Sequence, residues 1–432
     1  MSLKKNTIWN LTGSVVPAIV GFFAIPYLIH HLGIESFGVL TLIWTLIGYF
    51  SVFDVGVGRA LTQKIAQNAL YESATLPDFV KTGLLLALGA GLLGSSILAI
   101  LAYPLGTDWL NVAANLQRDA MLSILVAAIG IPLMTLTAGM KGVLEGFQDF
   151  KSANLLRIFF GILSFVLPVL TVMLGVVSLP WVVFSLIISR LIILIGYVYF
   201  IHRYHVIHWI KAQFHWVMGK ELLSFGAWMT LSNMIGPIMV VADRFIISFA
   251  LGAAWVAYYT VPADLLFYVL FIPSALSVAL FPKFAFMSQN DVVAMRSMYM
   301  RSVKVVAAVM LVFSVFVMCF AYPGLVWWLG KSFAEKSYQI VMILALGLFF
   351  NGIAQIPFAI VQASGGVKKI AKMHCVECVF YVPVLFILLK SWGVLGAAVA
   401  WSIRVTCDFV VLLIYANQAL HETKIRLNSR EN

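Results

Sequence analysis

Twelve apolar runs follow one another along the chain, near residues 7–30, 37–58, 82–103, 119–140, 155–175, 180–201, 222–248, 255–282, 303–322, 339–361, 375–390 and 394–416. A helix needs roughly 20 apolar residues to cross hydrocarbon, and these runs are of that order. None alternates apolar and polar residues with the period of two of a barrel strand. In lipid, backbone polar groups are satisfied only within helices or a closed barrel. The pattern therefore predicts an all-α polytopic membrane protein of twelve transmembrane helices. The opening MSLKKNTIWNL has no small-residue cleavage site behind a short apolar core, so the first run reads as a span and not as a signal peptide. The outer connections are short, the longest lying near 104–118 and 323–338. The longest inner connection, 202–220, interleaves Trp, Ile and Phe with His and Lys, which predicts an interfacial amphipathic helix. It separates an N-terminal lobe, 1–201, from a C-terminal lobe, 221–432.

Charge fixes the orientation. With a cytoplasmic N-terminus, Arg118, Lys331, Lys336 and Lys390 fall outside, Arg190, Arg244 and Arg404 fall within spans, and every other Lys and Arg falls inside. The positive-inside rule then puts both termini in the cytoplasm. The net charge of +11 thus reports topology, and nucleic acid is excluded as a partner. Composition agrees: 62% of residues are hydrophobic and 10% charged, against about 45–50% and about 25% in soluble domains. So few charges exclude a soluble enzyme.

Slid against itself by 219 residues, the chain repeats. Leu32-Gly33 meets Leu251-Gly252, Ala102-Tyr103-Pro104 meets Ala321-Tyr322-Pro323, and Trp109-Leu110 meets Trp328-Leu329. An even number of spans per half gives the repeats one orientation, about an axis along the membrane normal, with a site expected between them. Pro17 and Pro237 sit at nearly equivalent places in the first helix of each half. A proline removes a backbone hydrogen bond and bends a helix, so these two are candidate hinges.

The stretch HHLGIESFGVLTLIWTLIGYFSVFDVGVGRALTQKIA, residues 30–66, carries Leu32-Gly33, Phe37-Gly38, Tyr49-Phe50 and Asp54-x-Gly56-x-Gly58-Arg59-Ala60. It resembles the polysaccharide-transporter branch of the multidrug/oligosaccharidyl-lipid/polysaccharide (MOP/MATE) flippase superfamily, and most of all its Wzx-type flippases of lipid-linked O-antigen or capsule units. The resemblance implies two pseudo-symmetric six-helix lobes, a bacterial inner-membrane location, and alternating access driven by a proton or sodium gradient. It implies no cofactor. A polysaccharide polymerase and chain-length machinery are its implied partners. The related peptidoglycan-precursor flippases usually have fourteen spans.

The polar groups inside the spans carry the chemistry. An ionised side chain at mid-bilayer is costly, so it is expected to face a cavity or a partner. Arg190 and Arg404 lie near the middle of spans 6 and 12, at corresponding places in the two halves. Guanidinium binds phosphate oxygens bidentately, which suits a pyrophosphate. Arg404 has Asp408 four residues on, on the same helical face, so an ion pair is the alternative there. Asp243 and Arg244 are adjacent, about 100° apart around a helix, and cannot face the same way. Asp264 lies roughly 12 Å into span 8 with no basic residue one turn away, and reads as a buried coupling carboxylate. Asp54 and Arg59 flank two glycines that permit close helix approach. The candidate substrate contacts are therefore Arg190, Arg404, Arg244 and Arg59, and the candidate coupling carboxylates are Asp264, Asp243, Asp54 and Asp408. Cys375 and Cys378 form a lone CxxC without the second pair that structural zinc wants, so no metal site is expected. His202, His205, His208 and His215 read as interfacial packing beside Trp209 and Trp216.

Three functions compete. A flippase for an isoprenoid-pyrophosphate-linked oligosaccharide accounts for the repeat and the arginines. A drug/cation antiporter of the same superfamily would favour carboxylates in its cavity. A membrane oligosaccharide polymerase or ligase needs a sizeable outer loop, and no six-span repeat. The absence of a nucleotide-binding loop, of a nucleophile elbow and of a tight carboxylate cluster in any loop argues against an enzyme.

Overall fold

The computed structural model describes residues 3–49, 56–68, 75–205, 209 and 211–431, with the side chains of 225–240 and of both ends left aside. Among these residues there are fourteen α-helices and no strand: α1 Leu3–Leu32, α2 Ile34–Tyr49, α3 Val57–Asn68, α4 Leu76–Pro104, α5 Gln117–Gly146, α6 Phe150–Met173, α7 Leu179–His205, α8 Trp216–Leu251, α9 Ala253–Phe267, α10 Phe271–Asn290, α11 Val292–Leu329, α12 Lys331–Ala363, α13 Val367–Trp392 and α14 Val394–Glu431. A single 3-10 turn joins α9 to α10, making one apolar segment of them. Ten helical segments among the described residues are long and apolar enough to cross a membrane. With the shorter apolar α2 and with α8, they match the twelve apolar runs. The second run, expected over 37–58, ends as a helix at Tyr49, and Val57 starts α3.

Single glycines make the tightest turns between helices. Gly33 joins α1 to α2 and Gly252 joins α8 to α9, with φ of +82° and +96°. A side chain beyond hydrogen strains that backbone region. These two are the glycines that the 219-residue offset superposes, so the sequence repeat is also a repeat of turn geometry. The expected outer loop at 323–338 is a correction: α11 runs on to Leu329, Gly330 turns the chain at φ +86°, and α12 begins at Lys331. The matching tripeptide in the first half behaves differently. Pro104 ends α4, and a π turn over Leu105–Trp109 follows, closed by the Leu110 amide on the Leu105 carbonyl at 3.2 Å.

The expected linker helix is a second correction. α7 runs to His205 and α8 starts at Trp216, while 212–215 carry no regular secondary structure, with His215 extended. The amides that a helix would use internally go elsewhere. Gln213 donates to Asp78 Oδ1 at 2.8 Å and His215 to Thr82 Oγ1 at 3.1 Å, both at the start of α4. The His215 ring faces Asp78 at 3.3 Å, and Lys81 lies 6.0 Å from the Trp209 ring centre.

The chain divides into two compact units, Met1–Ala257 and Tyr258–Asn432. In the first, α5 packs against α3, α4 and α7, and α6 against α1 and α7. Gly139, Gly142 and Gly146 line one face of α5 against α3 and α4. Such small residues let helix backbones approach in lipid, where no hydrophobic force drives helices together. Around them Leu61, Ile65, Leu84, Met140, Val143 and Tyr197 form a core. In the second unit α12 is the central helix, packed on α10, α11 and α14. Serine hydroxyls hold it: Ser314 donates to the Ala345 carbonyl at 2.8 Å, Ser402 to that of Ile343 at 2.9 Å and Ser277 to that of Gln355 at 3.0 Å. Large apolar side chains such as Phe23, Ile100, Val312 and Trp327 point outward, as helices bathed in lipid require.

Candidate functional site

Both units hold polar side chains within their spans. In the first, Arg190 projects from the middle of α7 and is half-buried. Its guanidinium carbon stands 4.9 Å from the centre of the Phe160 ring on α6. Gly130 of α5 lets the arm pass, since a Cβ there would lie 3.7 Å from Arg190 Cδ and 2.6 Å from Ile187 Cδ1. Among the described residues no carboxylate comes within ion-pair distance of Arg190. The ring face supplies a weak electrostatic partner that leaves the planar fork of donors free for an anion.

The pair on α8 splits as its helical geometry requires. Asp243 is buried and accepts the Arg244 amide at 2.7 Å. Arg244 is half-buried, and its Nη1 donates to Thr45 Oγ1 on α2 at 3.2 Å. Arg59 is exposed on α3. Asp54 lies outside the described residues. The close approach beside Arg59 is set by Gly142 of α5: a Cβ there would come within 2.1 Å of the Gly58 carbonyl oxygen, and Thr62 donates to the Gly142 carbonyl at 3.0 Å. Pro17 packs into a similar notch, where a Cβ on Gly161 of α6 would meet its ring at 2.2 Å. Pro237 lies in α8 where side chains are not described.

In the second unit Arg404 on α14 stands 5.0 Å from the Tyr381 ring centre on α13. It does not close on Asp408 to ion-pair distance, the arrangement that their four-residue spacing suggests. Asp408 turns instead to α13, where its Oδ1 lies 3.8 Å from His374 Nε2. Glu377, one turn on from His374, completes a group whose ligand atoms all lie within 4.8 Å of one another. Arg404 acts electrostatically on all three. The His374 ring is set by stacking on Phe358 of α12, 6.5 Å between centres. Cys375 is exposed and all four cysteines are free. Asp264 is a correction: it is exposed on α9, one turn before Tyr268, and not buried as its depth along span 8 suggested.

The sequence analysis passed over His374 and Glu377, which lie beside and within the Cys375–Cys378 motif. The signal that finds them is a histidine and a glutamate three residues apart on one helix face, opposite an aspartate on the following helix.

A family model described as polysaccharide biosynthesis protein matches residues 3–288. A Shigella flexneri protein named as an O-antigen transporter is 32% identical over 418 residues, 95% of this chain and 97% of that one. A Salmonella typhi protein of the same name is 24% identical over 272 residues, 62% of this chain and 61% of that one. Among solved structures, an inward-facing multidrug resistance MATE family transporter of the MOP superfamily aligns with a TM-score of 0.78 at 16% identity, covering 96% of this chain and 98% of that chain.

Proposed function

This chain belongs to the polysaccharide biosynthesis protein family, and from that premise we propose that it moves an isoprenoid-pyrophosphate-linked oligosaccharide, an O-antigen or related repeat unit, across the bacterial inner membrane. It is a transporter and not an enzyme. The observation that carries the substrate class is Arg190, a guanidinium in mid-span with an aromatic face beneath it and, among the described residues, no carboxylate within ion-pair distance. A fixed positive charge in that position is costly unless an anion meets it, and a pyrophosphate offers oxygens at the spacing of the fork. A cationic drug would be repelled there.

The cycle is alternating access between the halves 1–201 and 221–432, with bending at Pro17 and Pro237. Pyrophosphate and sugars enter a wet cationic cavity from the cytoplasm, where both termini lie, while the lipid tail stays in the bilayer. An ion gradient supplies the drive. A polysaccharide polymerase consumes the unit outside, under chain-length machinery.

Arg190→Ala tests the reading. The expected result is normal protein abundance in the membrane, loss of surface glycan and accumulation of lipid-linked units inside. Arg190→Lys should keep part of the activity, because a lysine supplies charge without the bidentate fork. Normal surface glycan at normal abundance in the Ala variant overturns the assignment. Loss of the protein itself makes Arg190 a structural counter-charge instead.

A further inference from the structure

We propose that residues 211–220, the approach to α8 and its first turn, form a docking surface for an anionic phospholipid, whose phosphate meets two lysines while aromatic side chains sit among its acyl chains. The inference goes beyond the transport reading and does not depend on it.

Three observations support it. First, the segment is held to the helix bundle on one side. The Gln213 and His215 amides donate to Asp78 and Thr82 of α4. Gly219 faces the same helix, where an added Cβ would lie 3.4 Å from Leu86 Cδ1 and 3.5 Å from Thr82 Cγ2. Gly219 thus marks the packed side of the first turn of α8, and Trp216, Val217 and Lys220 are left exposed. Four residues apart, Trp216 and Lys220 share one helical face.

Second, the exposed side is apolar at its centre and basic at its ends. Phe214 is 44%, Trp216 53% and Val217 82% exposed, and the Phe214 and Trp216 ring centres lie 6.3 Å apart. Lys211 and Lys220 flank them, both exposed. Aromatic side chains concentrate where lipid headgroups meet hydrocarbon, and a lysine stem lies along apolar surface while its ammonium reaches the polar layer.

Third, the nearby carboxylates are engaged. Glu221 pairs with Lys64, and Asp78 accepts the Gln213 amide and faces His215. Among the described residues no carboxylate comes within ion-pair distance of Lys211 or Lys220. Their two charges call for an anion from outside the chain, and a membrane surface supplies lipid phosphate.

Place favours lipid over an acidic protein. Asp78 and Thr82 lie in the first turns of a helix long and apolar enough to cross a membrane, so the patch lies beside the end of a span. An acidic peptide would answer the lysines and leave Val217 and the two rings in water. A zwitterionic headgroup carries its own cation, which competes with the lysines for the phosphate.

The test uses the full chain, purified in a nonionic detergent, with thermal unfolding followed as phosphatidylglycerol or phosphatidylcholine of the same acyl chains is added. A ligand that binds only the folded state raises the midpoint with its concentration. The wild type should show a saturable rise with phosphatidylglycerol at concentrations where phosphatidylcholine and inorganic phosphate have little effect. One lysine near an anionic surface is worth about five-fold in affinity, so Lys211→Gln with Lys220→Gln should weaken binding by more than about ten-fold. Lys151→Gln with Lys368→Gln removes the same charge from exposed positions elsewhere and should leave the affinity largely intact. Depth is read separately, in a chain whose native cysteines are replaced. A spin label on Val217→Cys in phosphatidylglycerol vesicles should collide with oxygen dissolved in the acyl layer and be shielded from a water-soluble nickel chelate. Equal midpoint rises with the two lipids overturn the site, as do equal losses in the two lysine pairs or an effect of inorganic phosphate as large as that of phosphatidylglycerol. A label at position 217 that stays in water overturns it too, and hands the patch to a protein partner.

Discussion

At the scale of single residues, lack of a side chain sets tolerances in the first unit as firmly as charge does. The Gly142 α-carbon faces the backbone of α3, and a methyl group there would meet the Gly58 carbonyl oxygen at 2.1 Å. Backbone cannot swing aside as a side-chain tip does, so α5 and α3 must separate. Gly142→Ala should therefore lower stability by about 1–3 kcal/mol, read as a fall in the unfolding midpoint of the purified protein. Gly48 is the control within the same unit. It lies in α2 with nothing within 4 Å of an added Cβ, and Ala there should change stability by less than about 1 kcal/mol, in the stabilising direction. Equal losses at the two positions would show that close helix contact is not what fixes Gly142.

At the scale of elements, the segment between α7 and α8 is held by the first turns of α4. Asp78 accepts the Gln213 amide and faces His215, and Thr82 accepts the His215 amide. Lys64 and Glu221 pair across α3 and α8 close by. Together these fix the start of α8 and explain why an amphipathic stretch is not helical over 212–215: its donors find acceptors on α4 before they find one another. Asp78→Ala removes one acceptor, worth about 1 kcal/mol, so local opening should become roughly five-fold more frequent. Trypsin cleavage at the exposed Lys211 reads this out. A cleavage rate equal to that of the wild type would mean the segment is held by other contacts.

At the scale of the whole molecule, the asymmetric distribution of Lys and Arg makes a directional claim. Lys390 lies in the last turn of α13 and Lys368 in its first, both exposed. With both termini cytoplasmic, Lys390 faces outward and Lys368 inward. In a chain whose four native cysteines are replaced, Lys390→Cys should react with a membrane-impermeant thiol reagent in intact cells, and Lys368→Cys only after permeabilisation. The reverse pattern would invert the topology and, with it, the direction of transport proposed from Arg190.

The sequence by itself determined the number of spans and their helical nature, because each follows from a one-dimensional quantity, run length and period; charge per loop is the quantity from which their orientation is predicted. It also located the repeat, whose Gly33 and Gly252 became equivalent turns, and it singled out Arg190, because a charge within an apolar run is conspicuous wherever it points. Tertiary structure alone decided direction and company. Depth along span 8 made Asp264 look buried, yet depth does not say how a side chain is covered by its neighbours, and it is exposed. The four-residue spacing of Arg404 and Asp408 suggested a pair within one helix, yet Asp408 found His374 and Glu377 on the neighbouring helix. The 323–338 stretch read as a loop because its charges break the apolar run, although a helix can carry charges past the membrane surface and continue. In each case the missing information is the rotation of one helix against the next, which packing between side chains sets and the order of residues along a single chain does not.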